Sequence, residues 1–375
     1  MTDALRRSPV VAILGPRQCG KSTLARELLA GRHAIHLDLQ DRQDLNKLNE
    51  PELFFDRHRQ SLICLDEIQR IPDLFSSLRS EVDRHRTPGR FLILGSASRD
   101  LIRQSSETLA GRIAYVELAP FVSFEVPRIP WQTHWLRGGF PESLLATSGT
   151  DSEHWRTDFV RTFLERDIPS LGFAIPAKTM DRLWRLLAHC HGQTANYQKL
   201  AESADLSVPT LKKYLALLEQ TYMIRLLPPF ASNLKKRLIK SPRIYLRDTG
   251  ILHNLLDVAD DDQLLAHGCN GASFETYAME SILAAMPGWS PSFIRTSAGA
   301  EIDLLLHRGR KCLAFEFKLS KAPKPSRGFH EIVRELKPDG CYVVAPVDSS
   351  WPYNETTMIT PLSELPFIQK TVVAP

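Results

Sequence analysis

The chain is 375 residues long, 43% hydrophobic and 24% charged, with a formal net charge of +4. That composition excludes disordered and fibrous classes, and the length asks for two or three domains rather than one core. No run approaches the roughly 20 apolar residues of a membrane-spanning helix, and the N-terminal MTDALRRSPV lacks an apolar signal core, so a cytoplasmic protein with no membrane partner is expected.

Val10 to Leu14 is a continuous apolar run that leads into Gly15-Pro16-Arg17-Gln18-Cys19-Gly20-Lys21-Ser22, and STLARELLA after it has helical spacing. Strand, glycine-bearing loop and helix in this order form the context of a P-loop. Gly15 and Gly20 let backbone N–H groups curl around phosphates, and Lys21 neutralises the β- and γ-phosphate charge. Ser22, with Thr23 beside it, offers a hydroxyl to Mg²⁺ at the positive end of the helix, so ATP with Mg²⁺ is the expected cofactor. A second apolar run, Leu62 to Leu65, ends in Asp66-Glu67: Asp66 is expected to hold the magnesium and Glu67 to polarise the attacking water. Phe91 to Leu94 ends in GSAS, where Ser96 or Ser98 could sense the γ-phosphate. Arg112 precedes a further strand, Ile113 to Val116, and is the candidate for a cation donated in trans to the transferring phosphoryl, with Arg99 and Arg103 behind it.

Pro120 to Pro141 is rich in proline, glycine and tryptophan, which interrupts helical periodicity and reads as a connector; Trp131 and Trp135 are expected as packing anchors. Helical patterns return at Ser152 to Asp167 and Ala177 to Leu187. His189 and His191 flank Cys190 without a further ligand at helical spacing, so no metal site is expected there. The six cysteines, at 19, 64, 190, 269, 312 and 341, show no ligand or disulfide pattern and are expected to be reduced and mostly buried. Asn196 to Leu215 has the layout of a helix-turn-helix, with Ser207 capping the second helix, Leu211, Leu215 and Leu218 striping its inner face, and Lys212 and Lys213 outside. Met223 to Leu227 and Arg243 to Leu246 read as strands around the basic loop LKKRLIK, which together suggest a winged helix. From Lys178 to Arg247 there are 13 Lys and Arg against 4 Asp and Glu, net +9, leaving the rest of the chain at −5. Such a segment suits DNA phosphates, while the same fold also serves protein–protein contacts.

Near the C-terminus, Glu301 and Asp303 share one face of a strand, and after the turn Arg308-Gly309-Arg310 the next strand, Cys312 to Leu319, carries Glu316 and Lys318 on one face. Asp303 and Glu316 could hold one Mg²⁺ or Mn²⁺ through hard oxygen ligands, with Lys318 orienting the attacking water and Glu275, on a helix over Phe274 to Met286, a further ligand or base. A degenerate site and a solvated acidic face remain the alternatives.

In this order, GPRQCGKS, CLDEIQ, LILGSAS, LAGR, GGFPE, ERDI, KRLIKSPRIYLRDTGIL, FETYAMESIL and AEIDLLLHRGRKCLAFEFKLS make the chain resemble prokaryotic ATPases that join an AAA-type P-loop module and a winged helix to a C-terminal domain of unknown function with a restriction-endonuclease-like, PD-(D/E)xK fold. The match spans nearly the full length; GSAS stands where the family pattern suggests GSSS. The resemblance implies an α/β architecture: an AAA-type module over 1–125, a helical connector or lid over 126–176, a winged helix over 177–262 and an α/β nuclease-like domain over 263–375. It implies a homo-oligomer and, through likeness to junction resolvases, branched DNA as substrate. The function expected is an ATP-hydrolysing DNA-processing enzyme with a metal-dependent endonuclease site, the alternative being an ATP-dependent DNA- or protein-binding switch with an inactive nuclease fold.

Overall fold

The computed structural model describes residues 1–95, 109–230 and 239–368. It divides into two compact units, one of Met1–Pro120 with Leu217–Tyr222, the other of Phe121–Ala216 with Met223–Pro375.

In the first unit the apolar runs form strands β1 (Val10–Leu14), β3 (Leu62–Asp66), β4 (Phe91–Gly95) and β5 (Ile113–Glu117), joined by β2 (Ala34–Asp38). All pair in parallel in the order β2-β3-β4-β1-β5. Every residue of β1, β3 and β4 is buried, as strands covered on both faces must be. The two-residue side-chain period divides β1 between two cores. Val10, Ala12 and Leu14 join a cluster with Leu37, Phe55 and Phe75, while Val11 and Ile13 join Ala25, Cys64 and Leu92. Because β4 lies between β1 and β3, the carboxyl ends of these three strands border one crevice, the place where open parallel sheets receive ligands.

The second unit corrects one expectation at its start. The stretch expected to interrupt helical order contains a helix, Trp131–Arg137. Pro130 stands just before it, where a residue lacking a backbone N–H does no harm, and burial of Trp135, whose indole N–H donates to Ser273 Oγ at 3.0 Å, anchors the helix. Both tryptophans do pack, their rings stacked at 5.8 Å. The following Gly138-Gly139 pair is locked by Asp248: the Gly139 N–H donates to Asp248 Oδ2 at 2.8 Å, and a Cβ on Gly138 would lie 2.2 Å from Asp248 Oδ1. The same carboxylate caps helix Thr249–Leu255 by accepting from the Ile251 N–H.

Helix Gly149–Thr162 runs on through a π turn, Phe163–Asp167. After it come helices Ala177–His189, Tyr197–Ala204 and Val208–Gln220, the last belonging to this unit as far as Ala216, and the antiparallel pair β6 (Ile224–Leu227) and β7 (Arg243–Leu246). Ser207 Oγ accepts from the Thr210 N–H at 3.3 Å, Leu211 and Leu215 are buried, and Lys212 and Lys213 are exposed. His191 is buried, accepting from the Leu246 N–H and bonded to Thr276 Oγ1. Lys235, Lys236 and Arg237 of the basic loop lie outside the described residues.

Helix Asn270–Ala285 leads into an antiparallel meander of β8 (Ser290–Arg295), β9 (Glu301–Arg308) and β10 (Lys311–Phe317). Helix Arg327–Leu336 then connects β10 to its parallel neighbour β11 (Gly340–Val344), and β13 (Thr357–Thr360) and β12 (Trp351–Pro352) complete the sheet β12-β13-β11-β10-β9-β8. Phe329, Ile332 and Val333 of helix Arg327–Leu336 share a core with Leu305 and Ala314. No disulfide joins any two of the six cysteines, and among the described residues no helix is long and apolar enough to cross a membrane.

Candidate functional site

The loop from Gly15 to Gly20 turns out of β1 into helix Lys21–Leu29. Gly20 has φ +100°, a conformation that side-chain-bearing residues rarely adopt, and a Cβ on Gly15 would meet the Leu118 carbonyl oxygen at 2.1 Å. Lys21 is buried and its ammonium donates to the carbonyls of Gly15 (3.1 Å) and Pro16 (2.7 Å), which holds the charge over the loop where a phosphate would lie. Ser22 Oγ donates to Asp66 Oδ2 at 2.7 Å. Two oxygen donors thus meet at the start of the helix, and this pair fits the magnesium of a bound nucleotide. Thr23 is exposed on the next position.

Asp66 ends β3 and is tied further by the Glu67 N–H on Oδ1 at 2.9 Å and by His36 Nε2 at 3.8 Å. Burial pushes Asp66 up, but His36 and Ser22 outweigh it and keep the carboxyl below its ordinary value, while the Asp66 carboxylate raises His36. Glu67 stands in the left-handed region at φ +58°, with its carboxylate hydrogen-bonded by the Gln69 amide. Ser96, Ser98, Arg99 and Arg103 lie outside the described residues. Arg112 is placed at the other end of the sheet: β5 pairs with β1 so that Ile113 faces Val10, about 16 Å along the strand from the phosphate loop. Its guanidinium pairs with Asp83 at 2.6 Å. From that edge it lies beyond reach of its own phosphate loop.

His36 was not evident as a site residue. AIHLD is a short strand whose neighbour is fixed only by pairing with β3, which sets His36 beside Cys64 and one turn of the pleat from Asp66.

In the second unit, Phe315 faces Leu304 across β9 and β10, which brings Asp303 and Glu316 side by side on one face. Both are buried. Asp303 Oδ2 accepts from the Phe317 N–H at 3.1 Å, the Glu316 carboxylate accepts from the Ser326 N–H, and Lys318 Nζ sits 2.9 Å from Glu316 Oε1. Glu275 reaches the same place from helix Asn270–Ala285 and accepts from the Tyr245 hydroxyl. Sequence reasoning missed the residue at the centre. Arg243, the first residue of β7, is 2.6 Å from Glu301 Oε2 and 3.5 Å from both Glu275 Oε1 and Asp303 Oδ1. Burial lowers the guanidinium pKa, yet Tyr245 and the three carboxylates raise it well above its ordinary value. Burial also pushes Glu275 and Asp303 up, against the pull of Arg243.

These acids as folded do not fit a divalent cation. Asp303 and Glu316 spend their oxygens on Arg243, Lys318 and backbone N–H groups, and among the described residues no three His, Cys, Asp or Glu side chains are grouped to hold a metal. The positive charge beside Asp303 is supplied by Arg243 and that beside Glu316 by Lys318.

The AAA domain family matches residues 7–126. Two domains of unknown function, DUF8612 and DUF4143, match residues 129–262 and 270–365. With the crevice, phosphate loop and Ser22–Asp66 pair, the first unit is an AAA-type P-loop ATPase module. Among solved structures, the Walker-type ATPase of Pyrococcus abyssi is similar at TM-score 0.46 and 15% identity, over 68% of this chain and 93% of that one. The RuvB Holliday junction branch migration motor of Thermotoga maritima is more distant, at TM-score 0.24 and 17% identity over 58% and 82%. The uncharacterized proteins Mb2031c of Mycobacterium bovis and Rv2008c of Mycobacterium tuberculosis are each 40% identical over 96% of this chain and 82% of their own length. At that identity and coverage, the chain belongs to the family of these two mycobacterial proteins.

Proposed function

We propose that the protein is an ATP-hydrolysing, DNA-processing enzyme of the cytoplasm. Turnover by the first unit would govern how the second engages DNA, and DNA of branched, recombination type is the substrate the family resemblance favours. The observation that carries the ATPase half is the Ser22–Asp66 hydrogen bond beside the buried Lys21, a set of groups suited to magnesium and phosphate. The DNA half is supported by the exposed Lys212 and Lys213 beside a two-helix turn and an antiparallel strand pair, compatible with the winged helix that the family resemblance implies, and by the helix–three-strand–helix–strand order of the C-terminal fold, compatible with the nuclease-like domain that it implies. Arg112 lies away from its own phosphate loop, so phosphoryl stabilisation by it would be in trans, within a homo-oligomer.

A second reading has its own support: Arg243 among the C-terminal acids favours an ATP-dependent switch that binds DNA or protein through an inactive nuclease fold. Incubating the protein with branched, duplex and single-stranded DNA in Mg²⁺ or Mn²⁺, with and without ATP, separates the two. Cleavage lost in Asp303→Asn supports the enzyme; binding with no cleavage of any form supports the switch.

A further inference from the structure

We infer that Arg243 is the resident cation of the C-terminal carboxylates, so that a divalent ion can bind Asp303 only when the Arg243 guanidinium has left. The inference rests on reading the Asp303 and Glu316 face as a nuclease-type cation site, but it concerns occupancy rather than cleavage.

Three carboxylates from two elements converge on one guanidinium: Glu275 from helix Asn270–Ala285 and Glu301 and Asp303 from β9. Asp303 Oδ2 is committed to the Phe317 N–H, and the remaining oxygen faces Arg243. Arg243 therefore holds the oxygen that a metal would need. A divalent ion placed there would stand within about 4 Å of a fixed positive charge in a region of reduced dielectric, where like charges repel by several times their strength in water. The arginine side chain is 4% exposed, and its buried Nε has no hydrogen-bond partner among the described residues. Its far side rests on the Phe293 ring at 4.9 Å. Glu301, its shortest partner, is 37% exposed, so solvent ions reach the rim of the cluster.

Removing the arginine leaves three acids in need of a cation, and that sign distinguishes a stand-in ion from a residue that merely braces the fold. Mn²⁺ binding is measured by electron paramagnetic resonance of the free ion on the whole, nucleotide-free protein, with melting curves as the folding control. Arg243→Ala should bind Mn²⁺ at least roughly tenfold more tightly than the unaltered protein at this site. Adding Asp303→Asn should abolish the gain, Arg243→Lys should retain low affinity, and millimolar guanidinium should weaken Mn²⁺ binding to Arg243→Ala. Equal affinity in Arg243→Ala and the unaltered protein, or a gain that survives Asp303→Asn, overturns the inference. If Arg243→Ala does not fold, the bulkier neutral Arg243→Gln decides: loss of the guanidinium charge beside Asp303 should raise Mn²⁺ affinity, and an unchanged or lower affinity in a folded Arg243→Gln overturns it. Tight Mn²⁺ binding by Arg243→Ala with no DNA cleavage sinks the nuclease reading alone and supports the counter-ion role.

Discussion

At the residue scale, the proposed ATPase gives Lys21 and Glu67 separable tasks. Lys21 already points its charge at the loop carbonyls that a phosphate would replace as partner. Glu67 sits past the end of β3 in a left-handed conformation that costs a residue with a side chain about 1 kcal/mol or more. Lys21→Ala should therefore lose tight ATP binding, while Glu67→Gln should bind ATP and slow phosphate release by about 10² to 10⁴. Nucleotide binding by calorimetry and phosphate release read the two apart, and normal turnover in either variant would remove the assignment. These two residues were legible in the sequence because each sits in a local pattern, a loop before a helix or acids after an apolar run. His36 and Arg243 were not: one is placed by strand pairing and the other by a helix and strand distant in sequence, so no short window contains their partners.

At the element scale, helix Asn270–Ala285 is fastened to β7 through Glu275, which meets Tyr245 and Arg243, and to Arg225 and Arg247 through Glu280. Glu280 is paired with Arg225 at 2.6 Å and with Arg247 at 3.0 Å. Burial pushes Glu280 up, but the two guanidinium groups override it and hold the acid at about 2, against an ordinary 4.5. A depressed folded value means that the stabilisation is present above pH 4.5 and disappears as pH falls toward 2. Glu280→Gln should thus destabilise the second unit by about 3 kcal/mol at pH 7, and urea titrations should show the gap to the unaltered protein shrinking below pH 4.5. A gap independent of pH would mean that packing, not charge, holds the helix.

The Gly138-Gly139 step makes a second case. Gly138 has φ +76° and its missing side chain is occupied by Asp248, so Gly138→Ala should cost about 1–3 kcal/mol. Gly149 has open space around the Cβ position, and Gly149→Ala should be neutral or stabilising by up to about 1 kcal/mol. Equal urea midpoints for the two variants would show that Asp248 yields easily. Strands β1, β3 to β7, β9 and β10 were legible as apolar or alternating runs, with ends within two residues, whereas β2, β8 and β11 to β13 were not singled out. The helix Trp131–Arg137 was obscured because its stability comes from burying Trp135 rather than from a local helical pattern.

At the scale of the whole molecule, the +9 count of the segment from Lys178 to Arg247 overstates the charge offered to a partner. Arg225, Arg243 and Arg247 are consumed by Glu275, Glu280, Glu301 and Asp303, acids that lie outside that stretch of sequence. Counting along a chain cannot see this, because neutralisation follows the fold. Lys212 and Lys213 remain exposed at the start of helix Val208–Gln220, where a helix-turn-helix meets phosphates. If they contact duplex DNA, each releases condensed counterions and contributes about −0.9 to the slope of log affinity against log salt. Lys212→Ala with Lys213→Ala should then make that slope shallower by about 1.8 and weaken binding alike on duplexes of different sequence. Arg225→Lys should leave the slope unchanged, since its positive charge is spent on Glu280. Fluorescence anisotropy across a salt series gives both slopes. An unaltered slope in the double lysine variant, or a change as large in Arg225→Lys, would remove DNA from this surface and leave it as a docking element for protein.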